Sequence, residues 1–444
     1  MKPKVAIIGA GISGLTTAYY MRDAADCVIF ESQDEPGGTM RSSREQGYVM
    51  EWGPNGFLTN KPYTLELVRD LGCEERLLRS SDSARKRYVF SAGRLHRLPE
   101  KPLEFFLSDL LSLPGRLRVL AEPFAPAAPP GRDESVAEFA SRRLGKEAMQ
   151  KLIEPMAAGV FAGNADELSL QSCFPRIREL ETLYGGLVKA LFALRKKKPE
   201  VSAAPGGALT SFDTGVQALI EVLAARLSGN LRLNTRVETI ERREGRYAIQ
   251  GEAFDSVVVA APAHAAGRML RGLDAGLAED LDRIPYAPIA VVALGFDANA
   301  FQRPLDGFGF LVPRQEGRRI LGALWDSSVF PGRSPQGKAL IRVMVGGARQ
   351  PELARLREKE LVALVREELK ITMGLSAEPE LSRVFFQERG IPQYLVGHSR
   401  LLERLEKRLA AYPGLRLNSN AYRGVSLNDC CRESQLTARR LFSI

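Results

Sequence analysis

Val5-Ala6-Ile7-Ile8, followed at once by Gly9-Ala10-Gly11-Ile12-Ser13-Gly14, constrains this chain more than any other stretch. Consecutive apolar residues predict a strand buried on both faces, and G-x-G-x-x-G after it predicts a turn opening a helix. Gly9 permits the tight turn. Gly11 lets the backbone approach a pyrophosphate at the helix N-terminus, and Gly14 lets helix and strand pack closely. Cys27-Val28-Ile29-Phe30-Glu31 reads as the second strand of a βαβ unit. Glu31 falls at the spacing where an acid accepts hydrogen bonds from an adenosine ribose. Together these predict an α/β chain with a Rossmann-like dinucleotide-binding domain.

A length of 444 residues allows about two or three domains and a large core. No apolar run approaches the ~20 residues that cross a bilayer, and the early strand leaves no room for a signal peptide. The expected location is cytoplasmic, or peripheral on the membrane from that side. The net charge of +9 invites anionic partners. Its Lys and Arg are spread without a finger, homeodomain or RNA-binding signature, so nucleic acid is not expected. Five scattered cysteines fit a reducing compartment rather than a disulfide framework. Three isolated histidines (His96, His264, His398) leave little for a metal cluster or a Ser/His/Asp triad, and no metal is expected.

Helices are predicted over 61–71, 135–157, 179–194, 216–228, 352–370 and 400–411. Strands are predicted over 237–240, 247–250, 255–262, 289–296, 307–312, 321–325, 340–346 and 383–386, with a hairpin over 87–98. His264, after Ala261-Pro262, reads as a loop residue. The segment from Leu103 to Phe124 is dense in Leu and Phe with Arg116 and Arg118 among them, broken by Pro114. It fits an interfacial helix or a buried helix of a substrate domain. A Pro-rich connector at 123–130 follows, and the basic run Arg195-Lys196-Lys197-Lys198-Pro199 opens a loop ending near Gly207.

NAD and FAD share the opening fingerprint. Glu35-Pro36-Gly37-Gly38-Thr39-Met40-Arg41 comes directly after the ribose acid, and its double glycine lets another backbone stretch approach a cofactor. Arg41 is a phosphate partner or a surface arginine. Gly53-Pro54-Asn55-Gly56-Phe57 is backbone lying close to a flat ring, or an ordinary turn. Gly424-Val425-Ser426-Leu427-Asn428-Asp429-Cys430 reads as a turn into a last helix, with Asp429 as its N-cap.

With Lys86-Arg87-Tyr88-Val89-Phe90, Leu209 to Gly215, Gly307-Phe308-Gly309-Phe310-Leu311-Val312-Pro313, Met344 to Arg349 and Gly390-Ile391-Pro392-Gln393-Tyr394, these stretches run through the whole chain. In them the sequence resembles the flavin-containing amine oxidase superfamily and, within it, the oxygen-dependent protoporphyrinogen oxidases. The resemblance implies FAD, a six-electron oxidation of protoporphyrinogen IX in flavin-mediated steps, and dioxygen as acceptor with hydrogen peroxide released. It implies cofactor contacts at Gly9, Gly11, Ile12, Ser13, Gly14, Glu31, Ser32, Gly38, Arg41, Gly53, Pro54, Asn55, Gly56, Val237, Ala260, Val425, Ser426 and Leu427. The propionate-pairing arginine falls on Arg87, against a solvated basic run, and the ring-walling residues on Gly309, Leu311, Leu324 and Met344, against ordinary core packing.

No side chain is assigned as an acid or base, because the flavin would take hydride and pyrrole protons can leave to solvent. For Asn55 and Asp429, capping or turn roles stand beside acid–base ones. The last helix would offer its N-terminal dipole to the reduced flavin. The resemblance further implies an FAD-binding domain from 1–60, 205–275 and 400–444, a mixed-sheet substrate-binding domain from 61–97 and 276–399, and a helical membrane-binding domain over 98–204. Peripheral membrane contact is expected and a homodimer is possible. Two positions leave the family pattern. Gln387 stands where an aromatic residue is usual, and Cys431-Arg432-Glu433-Ser434 brings an acid toward the pyrophosphate, so weakened cofactor loading is expected. Coproporphyrinogen III oxidation, another flavin amine or polyene oxidase, and a non-catalytic escort protein on the same scaffold are the rival readings.

Overall fold

The structure is a computed structural model and describes residues 2–100, 102–129, 131–197 and 207–442. The 198–206 part of the expected loop, including Lys198 and Pro199, lies outside the described residues.

The opening strand, Lys4–Ile8, is central in a parallel five-stranded sheet. Asp26–Phe30 and Leu231–Arg232 lie on one side of it, Ser256–Val259 and Leu415–Leu417 on the other. Residues more than 400 positions apart in sequence thus share one sheet. Helices Ile12–Met21 and Leu427–Phe442 pack against each other beneath it. Ser434 Oγ donates to the Ser13 carbonyl at 3.0 Å and Asn418 Nδ2 to Thr17 Oγ1 at 2.8 Å, both buried.

A mixed seven-stranded sheet forms the second layer. Its spatial order is Leu381–Pro392, Tyr286–Asp297, Lys338–Gly346, Gly322–Leu324, Gly309–Leu311, Arg87–Ser91 and Arg94–Arg97. Side chains alternate between its two faces. Phe90, Phe310, Ala323, Ile341, Val343 and Val345 point to one face and form a core with helix Glu358–Met373. Val291, Ala293, Leu340 and Phe385, on the other face, pack against Tyr48, Met50 and Trp52.

Several local expectations are corrected. Residues 237–240 form no strand: Val237 and Ile240 are buried, but the Ile240 N–H bonds the Met269 carbonyl instead of a ladder, and the antiparallel meander begins at Glu241–Arg243. The helix expected over 352–370 is two, Pro351–Ala354 and Glu358–Met373, because Arg357 is extended and Glu360 reaches back to cap its N–H at 3.0 Å. His264 lies in the first turn of helix Ala263–Leu270, not in a loop. The 103–124 segment holds two short helices, Pro102–Leu107 and Leu113–Leu120. Pro114 starts the second rather than breaking it, and Ser112 caps it through the Gly115 N–H at 3.2 Å.

Candidate active site

The Gly-rich turn closes against the Ser256–Val259 strand. Gly9 has φ of +108° and donates to the Phe30 carbonyl at 2.8 Å. Ala260 flanks it, with its backbone 3.2 Å from where a Gly9 Cβ would stand. A Cβ on Gly14 would lie 1.9 Å from the Gly9 carbonyl oxygen, so only glycine fits there. At Gly11, by contrast, a Cβ would meet nothing within 4 Å. The helix N-terminus is open on that side, between Ile12-Ser13 and the double glycine, as an incoming pyrophosphate requires. Gly37 donates to the Ala10 carbonyl at 2.9 Å, and Gly38 sits beside the Gly11 Cα with φ of +59°.

Glu31 is buried at the end of its strand. Its carboxylate accepts the Ala10 N–H at 2.7 Å, the Gln33 N–H at 3.0 Å and the Ser32 hydroxyl at 3.3 Å, and keeps further acceptor capacity. Asn234 and Thr235 hydrogen-bond the Gln33 and Glu31 carbonyls, which brings Val237 alongside. Its side chain packs in the core with Phe30, which leaves only its backbone for the expected cofactor contact. Arg41 pairs with Glu35 at 3.2 Å and lies 5.3 Å over the Trp52 ring, leaving its Nε buried without a partner.

The two ends of the chain meet around residues 53–64. Asn428 Oδ1 accepts from the Thr64 N–H and hydroxyl at 3.2 and 2.9 Å, its Nδ2 donates to the Leu58 carbonyl at 2.8 Å, and Lys61 pairs with Asp429 at 2.6 Å. Ser426, not Asp429, caps the last helix: its hydroxyl accepts the Asp429 N–H at 3.2 Å and donates to the Asp429 carboxylate at 2.6 Å. Gly424, with φ of +99°, donates to Tyr394 Oη at 3.0 Å, Val425 packs beside Tyr394, and Leu427 enters the core of the parallel sheet. Glu433 is occupied by Arg432 at 2.9 Å, and it is Ser434 that touches the first helix, so the acid's charge is offset locally.

On the second sheet the register gathers the expected substrate residues. Arg87 pairs with Gly309, Gly309 with Leu324, and Leu324 with Arg342, forming one row; Leu311, Gly322 and Met344 form the next row on the same face. Leu311, Leu324 and Met344 are all partly exposed on this face rather than sealed in a core. Gly309, with φ of +129°, leaves the middle of its row bare. In the basic run, Arg85 faces Asp82 and Lys86 pairs with Asp306, but Arg87 has no ion pair among the described residues. It lies 5.6 Å over the Phe308 ring, and loss of solvent pulls its guanidinium below the ordinary value. A cation with no ion pair among the described residues, exposed beside an apolar wall, has the chemistry to take a carboxylate.

Gln387 shares this face two residues from Phe385, which stacks on Trp52 (centroids 5.0 Å apart, 19° between planes). An aromatic pair therefore stands one strand repeat before the position where an aromatic residue was expected. Sequence reasoning missed the roof of the site. Helix Glu154–Phe161 and the left-handed Ala162 after it close over the sheet: Gly159 abuts Leu311, the Ala162 carbonyl accepts the Ala348 N–H at 2.7 Å, and Gln393 Nε2 donates to the Phe161 carbonyl at 2.8 Å. Gly159 and Gly163, four apart in an apolar stretch, were the available signal for a close approach.

A parallel sheet with an open Gly-rich helix N-terminus, a buried ribose-type acid and orphaned donors at Arg41 and Asn55 fits a bound dinucleotide. These features define a dinucleotide-binding scaffold. The sequence matches the flavin-containing amine oxidoreductase family over residues 12–442, and the chain belongs to that family, with FAD as its cofactor. It is 31% identical to coproporphyrinogen III oxidase of Bacillus subtilis (strain 168), covering 97% of this chain and 96% of that one. It is 33% identical to the chloroplastic protoporphyrinogen oxidase 1 of Arabidopsis thaliana, covering 97% and 86%. A crystal structure from Exiguobacterium sp. 255-15, provisionally named for protoporphyrinogen oxidation, superposes with a TM-score of 0.86 at 27% identity over 100% of this chain and 99% of that one.

His264 adds a pH dependence. Its ring meets Tyr286 edge-on at 5.3 Å, and burial, helped by Arg389 and Arg268, pushes its imidazole down to about 4. Buried His398, stacked on Tyr394, is shifted the same way. An unfolded histidine titrates near ~6.5, so between roughly pH 6.5 and 4 the unfolded chain binds more protons and stability falls as pH falls. Thermal midpoints are expected to drop across that window, with a shallower drop in His264→Phe. Superimposable pH profiles for the two proteins would contradict this.

Proposed function

We propose that this chain oxidises a porphyrinogen to the porphyrin, removing six electrons in three steps, in heme biosynthesis. The observation that carries the reading is the Arg87–Gly309–Leu324–Arg342 row. It runs about 14 Å at the usual strand spacing, from an exposed cation with no ion pair among the described residues to the Gly53–Gly56 segment. That geometry suits a flat, apolar macrocycle with a carboxylate at one end and its oxidisable carbon at the other. Arg87 holds a propionate. Gly309 leaves room for the ring, while Leu311, Leu324 and Met344 wall it and exclude water. The residues implied by the resemblance, from Gly9 to Leu427, hold the FAD; when bound it accepts the electrons, and dioxygen reoxidises it with release of hydrogen peroxide. The protein's part is positioning, and no side-chain base is assigned.

Protoporphyrinogen IX is the substrate we favour. Coproporphyrinogen III is the second reading, supported by the near end-to-end match to the coproporphyrinogen III oxidases of Bacillus subtilis and Staphylococcus aureus, the latter over 100% of both chains. Aerobic incubation with each porphyrinogen, followed by porphyrin fluorescence, tests both. A higher kcat/KM for protoporphyrinogen supports the first, the reverse supports the second, and no porphyrin from either, with FAD bound, overturns the reading.

We also propose peripheral membrane contact through residues 102–124. Leu113, Leu117 and Leu120, spaced along one face of their helix, point outward, and Phe106, Leu107 and Phe124 are exposed beside them, Phe124 by 88%. Arg118 ties the opposite face down through the Arg142 and Arg143 carbonyls. An exposed apolar stripe on a short helix fits an interfacial helix. Co-sedimentation with anionic liposomes is expected, and loss of it in Leu117→Glu. Equal binding by the variant would contradict the assignment. The domain division given above and a homodimer remain part of this proposal.

A further inference from the structure

Arg342 is fully buried in the middle of an apolar strand, yet every one of its five N–H groups has an acceptor. Nε and Nη2 grip the Asp326 carboxylate, the second contact at 3.1 Å. Nη1 donates to the Glu51 and Gly53 carbonyls at 2.9 and 3.3 Å, and Nη2 also to Asn55 Oδ1 at 2.8 Å. One guanidinium therefore ties the substrate sheet to the segment running from Glu51 to Asn55. Nearby, Glu51 is itself locked by Arg333 at 3.0 Å and by the Val216 N–H at 3.0 Å, so the strap is anchored at both ends.

The consequence falls on Asn55. Its carboxamide has one acceptor atom and one donor atom, and the guanidinium offers only donors. The oxygen must face Arg342, and the alternative rotamer would set N–H against N–H. Asn55 Nδ2 is then turned away from Arg342, and it is buried without a partner. Buried donors left without an acceptor are rare in native proteins, and a bound ligand is one of the few things that completes them.

We propose that Arg342, braced by Asp326, is a positioning residue that fixes the Asn55 carboxamide as a donor to the isoalloxazine of FAD. This rests on the reading that residues 53–56 border the flavin. The device needs no ionisable group at the flavin and holds in any protonation state of the substrate. It also gives the Arg87 row two ends of different character: a free cation for the carboxylate, and a saturated one that orients an amide.

The test uses Asn55→Leu, which removes the donor at similar size, together with Arg342→Met and Arg342→Lys. Readouts are the visible spectrum and reduction potential of bound FAD, the FAD dissociation constant of the apoprotein, and the apoprotein's thermal midpoint. Asn55→Leu and Arg342→Met are expected to shift the flavin bands in the same sense and to weaken FAD about tenfold, the effect of one lost hydrogen bond to a polar acceptor. The double variant should add little, because both act on one contact. Arg342→Lys, which cannot make the five-fold fork, should recover part of the spectrum. An unchanged spectrum and potential in Asn55→Leu would overturn the proposal. So would an Arg342→Met protein whose only defect is a lowered midpoint. If Arg342→Met does not fold, Asn55→Leu decides alone. Failure of the porphyrinogen reading shows separately, as wild-type protein whose bound FAD gives no porphyrin.

Discussion

Gly14→Val is expected to produce a folded protein that no longer retains FAD. The Cβ of any residue at this position would stand 1.9 Å from the Gly9 carbonyl oxygen and 3.2 Å from the Ala260 side chain. One neighbour, Gly9, starts the turn itself, and the other, Ala260, follows the adjacent strand Ser256–Val259. Relief requires the helix to move away from the strand, which carries the open N–H groups at Gly11 out of reach of the pyrophosphate. Overpacking of this kind costs about 1–3 kcal/mol when the surroundings can yield, and here the obstacle is backbone. Loss of flavin by at least a hundredfold in affinity, read from the visible absorbance of the purified protein and an FAD titration, is the predicted result. A yellow Gly14→Val protein with wild-type affinity would show that the turn is not the pyrophosphate site.

Arg87→Ala is expected to raise KM for the porphyrinogen by roughly ten- to a hundredfold, the range of a lost charge-assisted hydrogen bond of about 1.5–3 kcal/mol, and to leave the flavin spectrum unchanged. Arg87 has no ion pair among the described residues, and it stands exposed at the start of its strand. Its removal therefore should not lower the thermal midpoint. Arg87→Lys should recover part of the affinity, since a point charge lacks the planar fork. A KM unchanged in Arg87→Ala would move the carboxylate site elsewhere on the sheet.

The cofactor half of the molecule was legible because backbone constraints leave a compositional trace. Gly9, Gly14 and the Gly37-Gly38 pair are glycines for steric reasons visible in the chain itself, and Glu31 follows at a spacing set by one βαβ unit. Two strands of the seven-stranded sheet, Tyr286–Asp297 and Lys338–Gly346, were legible because they are buried on both faces and read as apolar runs. Arg87 was harder. In Arg85-Lys86-Arg87 the sequence cannot say which cation is free; Asp82 and Asp306 decide that by taking the other two. Arg342 was hidden for the same reason at longer range. Its partners lie at 51–55 and at 326, and its only trace is a charge inside Ala339 to Gly346. The first turn of the last helix was misread because Ser426 and Asp429 are both good caps, and the turn geometry after Gly424 chooses the serine. Residues 237–240 carry strand-like side chains, but their backbone hydrogen bonds go to a helix end.

The most direct test of the account is anaerobic titration of the FAD-loaded protein with protoporphyrinogen IX, following the flavin band and porphyrin absorbance together. The account predicts that each porphyrinogen bleaches three equivalents of bound flavin as one porphyrin appears, and that admitting air restores the flavin. Flavin that stays oxidised in the presence of both protoporphyrinogen and coproporphyrinogen, but is bleached by an amine, would contradict it.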